Sequence, residues 1–565
     1  MQKPVSSAAS SSSPPRSSTN ISTSTDGRRH TRLKETQFNY RYGQKLHSFE
    51  PEKAPYPISY DSEILELEHL DGQLVKYLRE GSISFVNFLE AELPQRCLDL
   101  GCGTGAWVIE AAKEWPTTEF VGFDLVNVQL KILDPLLEER IQWVYGNFLT
   151  TRLPFQDDEF DHIHIQSISM GVPENKWDVL FDEICRVLRP GGSVEIIEDD
   201  IIFPSLPRWF TAPMRVKPRR SASVHLPEGS VRGSISSSSL ESPSPSPDHD
   251  HALLESLHKA VFEHRFINMK PSAVLPSYFS TYFRQVTLAP VLSFFMPPLP
   301  PLQPLSPRLT STYAGPSSLD LEQRASVSDT ASSTSPSTRP ISVSFSSALS
   351  KESSSSNSES SLGSRERSHS SPFSFKESEV RTSLAANDSD VHCEDVPSPH
   401  SRELYALEAN GLADKTTPRL PLVSIERLNS LNERSLAMHL HRAYNYVLGC
   451  QDALWEELKD RIRNRQEELA PFGWEDEEEF EEVQNRKKFE RLLDRYRSDM
   501  HSRVSLWCSL CDLGWPQPAR EPLSKAELIE EERMREAMLE SRQTASLEDQ
   551  QTPCRSIRVL VGFKP

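Results

Sequence analysis

Two periodicities alternate along the middle of this chain. Arg96–Leu100, Glu119–Phe123, Ile141–Tyr145, Phe160–Gln166 and Ser193–Ile197 are short apolar runs of strand length. Between them, Ala106–Glu114, Gln129–Leu137 and Trp177–Leu188 carry apolar residues at helical spacing. Strands alternating with helices predict a mostly parallel, doubly wound sheet. Arg189-Pro190-Gly191-Gly192 predicts a turn ahead of the fifth strand. Upstream, Ile64, Leu65, Leu67, Leu70, Leu74 and Leu78 predict a helix over Ser62–Leu78, and a second short helix is expected over Ile83–Glu90.

After Phe210 this order lapses and returns in pieces. Ala252–Phe266 and Val274–Phe283 predict helices, and Gln285–Leu288 a strand. Ser424–Lys459, with Leu428, Leu431, Leu436, Leu440, Tyr444, Val447, Leu454 and Trp455, predicts a further helical stretch. Acidic Glu475–Glu482 is followed by basic Arg486-Lys487-Lys488, a pattern that suits a self-paired solvated face. The closing run Ser556–Phe563 predicts a strand whose natural partner is the core sheet, reached after a very long insertion.

The fold class expected is therefore α/β: a Rossmann-like, doubly wound, mostly parallel seven-stranded sheet with helical insertions and long disordered segments. Residues 1–36 form a tail, 37–92 a helical lead, 93–210 the core with its ligand site, and 211–250 a disordered insertion. The core continues over 251–296, is interrupted by a Ser/Pro-rich disordered insertion over 297–423 and a helical insertion over 424–545, and closes at 546–565.

Composition supports the interrupted picture. Only 37 % of the 565 residues are hydrophobic and 43 are proline, too little apolar surface to order the Ser/Pro tracts. A net charge of -19 argues against free nucleic acid as a direct ligand, because phosphate contacts need clustered Lys and Arg. The eight cysteines are scattered, which suits a reducing compartment. Cys508 and Cys511 lack two further ligands at zinc spacing, so no metal is expected. No run is apolar enough to cross a bilayer, and Met1–Thr25 lacks a secretory core. The expected location is cytoplasmic, nuclear or both, with Arg28-Arg29-His30 and Lys217-Pro218-Arg219-Arg220 as candidate import patches. Ser242, Ser244 and Ser246 are candidate phosphate acceptors beside the second patch.

The chemistry centres on the turn after the first core strand. Gly101, Cys102, Gly103 and Gly105 join a strand to a helix, where glycine permits sharp turning and close ligand approach. The helix N-terminus beyond suits a carboxylate. Asp99 precedes the turn by two positions, placed to meet an ammonium group. Asp124, with Leu125 after it, closes the second strand about 20 residues on, where an acid receives ribose hydroxyls. Asn147 and Phe148 follow the third strand, where an amide and a ring suit adenine. Amine, carboxylate, ribose and adenine are the handles of S-adenosylmethionine.

Leu98-Asp99-Leu100-Gly101-Cys102-Gly103-Thr104-Gly105, Phe123-Asp124, Leu153-Pro154-Phe155 and Leu188-Arg189-Pro190-Gly191-Gly192 resemble the successive motifs of class I methyltransferases. Tyr56-Pro57, Glu66 and Leu70-Asp71 are similar to the lead segment of the fungal LaeA-like group, although Ile58-Ser59-Tyr60 replaces that group's L-P-N. The resemblance implies that Asp99 and the glycines hold the methionine part, Asp124 the ribose, Asn147 and Phe148 the adenine, and that Gln166 faces the methyl donor. It implies methyl transfer to an acceptor, protein or small molecule, that the residues do not name, and a role in regulating secondary metabolism or development. A small-molecule O- or N-methyltransferase and a non-catalytic binding module are the rival readings. The helical insertion is the expected surface for regulatory partners. His162 and His164 share a strand face and are expected to pack under a helix; Glu198, Asp199 and Asp200 are candidates for acceptor contact or a solvated loop. No residue is singled out as a catalytic base.

Overall fold

The computed structural model describes residues 37–215, 249–309, 404–408, 422–474, 482–504, 514–516, 520–543, 545–546 and 551–565. The Cys508/Cys511 pair, both basic patches, the Ser-Pro sites and most of the acidic run lie outside them. The described residues fall in one compact unit built from 1–309 and 402–565.

The described residues begin with a hairpin, β1 (Phe38–Arg41) against β2 (Gln44–His47), so the lead is not purely helical. Helix α1 (Ser62–Leu78) turns Ile64, Leu67, Asp71, Val75 and Leu78 inward. The expected helix over Ile83–Glu90 does not form. Its amides are taken by side chains: Phe85 N donates to Glu195 and Val86 N to Ser84 Oγ, which leaves no helical ladder. The core then runs β3 (Arg96–Leu100), α2 (Ala106–Glu114), β4 (Glu119–Asp124), α3 (Pro135–Glu138), β5 (Ile141–Tyr145), β6 (Phe160–Gln166), α4 (Trp177–Val187) and β7 (Leu188–Asp199). The helix expected over Gln129–Leu137 shrinks to the four residues of α3. Pro135 disfavours helix at Asp134, and Leu130 N is drawn to Thr104 O instead.

Arg189–Gly192 are not a separate turn but part of β7. Gly191 adopts φ +75°, and the pairing with β6 jumps from Phe160↔Leu188 to His162↔Ser193, so the turn is absorbed as an irregularity within one strand. Beyond lie α5 (Arg208–Thr211), α6 (Ala252–Glu263), α7 (Pro271–Tyr282), β8 (Arg284–Leu288), β9 (Val291–Phe295) and β10 (Tyr405–Glu408). The expected single helical stretch after Ser424 divides into α8 (Ile425–Asn429), α9 (Glu433–Gly449) and α10 (Gln451–Asn464). Ser424 and Asn432 cap the first two, the latter accepting from Arg434 N and Ser435 N. Helices α11 (Glu482–Arg503) and α12 (Lys525–Gln543) and strand β11 (Pro553–Phe563) complete the chain.

Among the described residues the sheet has nine strands rather than seven, in the order β10-β9-β11-β7-β6-β3-β4-β5, with β8 also on β11. Five strands, β7-β6-β3-β4-β5, are parallel; the additions are antiparallel. Strand β10 lies inside the Ser/Pro-rich span expected to carry no fixed structure: Tyr405–Glu408 pairs with Val291–Phe294. Strands β8 and β9 follow one another along one edge of β11, β8 opposite Leu560–Phe563 and β9 opposite Pro553–Ile557. On one face, Leu98, Val121, Ile163 and Ile165 pack with Trp177, Phe181 and Ile184 of α4 and Phe279 of α7. The other face meets α1, α2 and α9, with Leu436, Val75 and Ile197 in one cluster.

A buried four-charge box ties the late insertion to the core. Arg442 of α9 donates through Nε to both oxygens of Asp71, at 2.6 and 2.8 Å, and through Nη2 to Asp199 at 3.0 Å. Arg555 of β11 donates to Asp199 at 2.6 and 3.0 Å and lies 3.0 Å from Asp71. Burial alone would raise the Asp199 carboxyl; Arg442 and Arg555 hold it below the usual range.

Candidate functional site

The sheet opens at the carboxyl ends of β3, β4 and β6, where doubly wound sheets take ligands. A cavity of about 180 Å³ lies there. Its wall includes Asp99, Gly101, Cys102, Gly103, Asp124, Leu125, Asn147, Phe148 and Gln166, nine of the ten residues singled out from the sequence.

Local backbone rules build the turn. Gly101, Gly103 and Gly105 have φ of +82°, +50° and +74°, a region in which a side chain is strained. Gly101 N and Cys102 N donate to Phe123 O, at 2.8 and 3.1 Å, which ties the turn to the end of β4. Asp124 reaches back: its Oδ2 accepts from Gly103 N at 2.8 Å and its Oδ1 from Val126 N at 3.2 Å. Burial raises the Asp124 carboxyl, and the amides of Gly103, Val126 and Leu125 offset part of that shift. Asp99 is 3 % exposed, and its carboxyl is pushed well above the ordinary range by burial, with Asp124, Glu68 and Glu195 adding negative charge. The Cys102 thiol is pushed up by burial too, so it is no ready nucleophile.

Gly105 is the exception. It is not in the cavity wall, and its small size serves packing. A Cβ there would lie 2.3 Å from the Trp143 ring, which also covers Gly122. Gly105→Ala combines left-handed strain with overpacking and should cost about 3 kcal/mol. Chemical denaturation against wild type checks this, and an unchanged midpoint would remove Trp143 as the reason for glycine.

Asn147 lines the cavity, but its amide is engaged: Nδ2 donates to Lys53 O at 2.7 Å and Oδ1 accepts from Leu149 N at 2.9 Å. The side chain thus pins residue 53 of the lead against the cavity rim. His164 is also in the wall, stacked on Trp107 of α2 at 4.0 Å and 4°, with Nδ1 2.7 Å from Glu195. Burial lowers its pKa to about 4, so it stays neutral at physiological pH. His162 sits one pleat away with Nδ1 2.8 Å from Ser193 Oγ.

Glu198, Asp199 and Asp200 do not form a solvated loop. Glu198 accepts from Ile168 N and Ser169 N, Asp199 belongs to the charge box, and Asp200 holds Ser272. They line a smaller cavity of about 30 Å³ that shares Ser167, Met170 and Tyr446 with the first. Burial raises the Glu198 carboxyl to about 7.

The sequence reading missed several wall residues. Glu68 reaches the turn from α1, and Tyr56, Tyr60 and Tyr446 supply aromatic wall. Glu68 had one local signal: it lies on the same helical face as Ile64, Leu67, Asp71 and Val75, a charge among inward positions. Tyr446 had none, because it arrives from α9, far along the chain. Among the described residues no cluster of His, Cys, Asp and Glu suits a metal, and no helix is long and apolar enough to cross a membrane.

The wall fits S-adenosylmethionine: Asp99 and Asp124 offer acidic groups to its ammonium and ribose hydroxyls, beside the turn of Gly101 and Gly103. A family model described as a methyltransferase domain matches residues 97–192. The chain is 39 % identical over 107 residues to the secondary metabolism regulator laeA of Coprinopsis cinerea, covering 19 % of this chain and 25 % of that one. It is 37 % identical over 113 residues to the secondary metabolism regulator LAE1 of Cochliobolus heterostrophus, covering 20 % and 35 %. Demethylmenaquinone methyltransferase of Staphylococcus aureus is 35 % identical over 115 residues, covering 20 % and 45 %. The match thus spans less than half the length of each of these relatives. The methyltransferase-domain match covers the glycine turn and strands β4, β5 and β6, and the chain resembles the class I S-adenosylmethionine-dependent methyltransferases, among them the fungal LaeA-like proteins.

Proposed function

We propose that this chain transfers the methyl group of S-adenosylmethionine to an acceptor entering beside Tyr56, Tyr60 and Tyr446, and that it acts as a regulator of secondary metabolism or development, as the two fungal relatives' names describe those proteins. The observation that carries this reading is the joining of Asp99, the glycine turn and Asp124 in one wall. Bound there, S-adenosylmethionine supplies an electrophilic methyl on a sulfonium. Asp99, Gly101 and Gly103 would hold the amino-acid end, Asp124 the ribose hydroxyls, and Phe148 the adenine. Asn147 would act by fixing the rim rather than by facing the base. Gln166, at the end of β6, would face the acceptor side. The chain's contribution is alignment and exclusion of water, and the aromatic wall serves both. His164, neutral and tied to Glu195, is placed to shape the floor rather than to take a proton. The acceptor, protein or small molecule, belongs to this proposal, as do cytoplasmic and nuclear locations and partners at the helical insertion.

Titration calorimetry with S-adenosylmethionine, followed by incubation of protein and labelled cofactor with cell extract, tests the reading. Wild type should bind, and label should enter either protein or small molecules, which identifies the acceptor class. Asp124→Asn removes charge-assisted bonds and should weaken binding by about 10- to 100-fold with its melting curve retained. A folded wild type that binds no cofactor would sink the reading; binding without transfer would favour the non-catalytic module.

A further inference from the structure

The glycine turn has an occupant from outside the matched segment. Glu68, on α1, accepts through Oε2 from Thr104 N at 2.9 Å. A Cβ on Gly103 would lie 2.6 Å from that same oxygen, so glycine at 103 makes room for the Glu68 carboxylate. Buried Ile64, Leu67, Asp71 and Val75 fix the register that delivers it.

The charges that bear most strongly on this carboxylate are negative. Asp124 and Asp71 bear on it, and it bears in turn on Asp99. Two arginines of this region are committed elsewhere. Arg79, also in the wall, donates to Ile83 O and sits 3.8 Å from Glu195, while Arg442 is bidentate on Asp71. The other titratable groups of this wall include His69 on the same helix, Glu110, neutral His164, and the Cys102 thiol and the hydroxyls of Tyr56, Tyr60 and Tyr446, which burial keeps protonated. A carboxylate buried among carboxylates is stabilised by a cation, and the arginine of this wall, Arg79, is engaged with Ile83 O and Glu195 instead.

We propose that Glu68 binds, together with Asp99, the ammonium group of the cofactor's amino-acid end, and so selects ligands with a cationic amino-acid tail over a bare nucleoside. This rests on the methyltransferase reading above. It adds a residue from the lead helix to the cofactor site, and it makes α1 part of the ligand-binding unit.

The test compares three ligands by calorimetry on the full chain: S-adenosylmethionine, S-adenosylhomocysteine and 5′-methylthioadenosine, which lacks the amino-acid tail. Glu68→Gln keeps an oxygen for Thr104 N while removing the charge. It should weaken the first two ligands by the same factor, about tenfold or more, and leave the third within about twofold. Glu68→Ala should repeat the pattern. Burial raises Glu68 to about 7, so wild-type affinity for S-adenosylmethionine should rise several-fold from pH 6 to 7.5 as the carboxylate ionises, and Glu68→Gln should flatten that rise. Equal losses for all three ligands would assign Glu68 a scaffold role and overturn the proposal, as would an affinity for S-adenosylmethionine unchanged in Glu68→Gln. A folded wild type that binds none of the three would instead overturn the methyltransferase reading itself.

Discussion

Removing residues 553–565 should leave a chain that does not fold. Strand β11 is not an ornament at the sheet's edge: β7 lies on one side of it and β8 and β9 on the other. Its Ile557, Val559, Leu560 and Val561 are at most 4 % exposed. Burying four such side chains contributes about 6–12 kcal/mol, the scale of a whole domain's net stability, about 5–15 kcal/mol. The truncated chain would also leave the inner edge of β7 unpaired and would detach β8, β9 and β10 from the parallel strands. Circular dichroism and limited proteolysis against the full chain check this. A cooperative melt at the wild-type temperature in the truncated chain would show that the parallel half stands alone.

Arg442→Met should be the most damaging single substitution outside the glycine turn. It leaves Asp71 and Asp199 facing each other with Arg555 alone between them. Breaking one partner out of a buried ion network costs about 3–5 kcal/mol, because the remaining charge stays desolvated. In a folded unit of this size that lowers the melting temperature by on the order of 10 °C. The double variant Arg442→Met/Asp71→Leu restores charge balance around Asp199 and should recover part of the loss. Cofactor affinity should fall as well, because Tyr446 lies one helical turn beyond Arg442 and forms part of the cavity wall. A double variant no more stable than the single would mean that the network's geometry, rather than its charge, is what counts.

Much of the parallel half was legible because its signals are local. Strand runs such as Phe160–Gln166 are short and bounded, and the glycine turn must sit between a strand and a helix. Where tertiary contacts took over, local periodicity misled. Gln129 has helical neighbours in sequence, yet its side chain donates to Gly103 O at 2.9 Å and braces the turn. The Ile83–Glu90 run looked amphipathic, yet Glu195 of β7 captures its amide and hydroxyl donors. Asp99 and Asp124 could be found because they stand at fixed offsets from the glycines. Glu68, Tyr446 and Arg442 could not, since no offset links them to the turn; only packing brings them there. Likewise β10 is four residues in a Ser/Pro-rich stretch, too short for any period to show.

The position of β11 also sets a timetable. On a ribosome, β7 emerges about 350 residues before its antiparallel neighbour. At roughly 5–20 residues per second, that interval lasts roughly 20–70 s. Throughout it, an apolar strand edge and a half-assembled ligand wall wait without their partners, an invitation to pair with other chains. The residues of β11 are thus the ones that end the nascent chain's exposure, and the demand for chaperones should be greatest just before they appear.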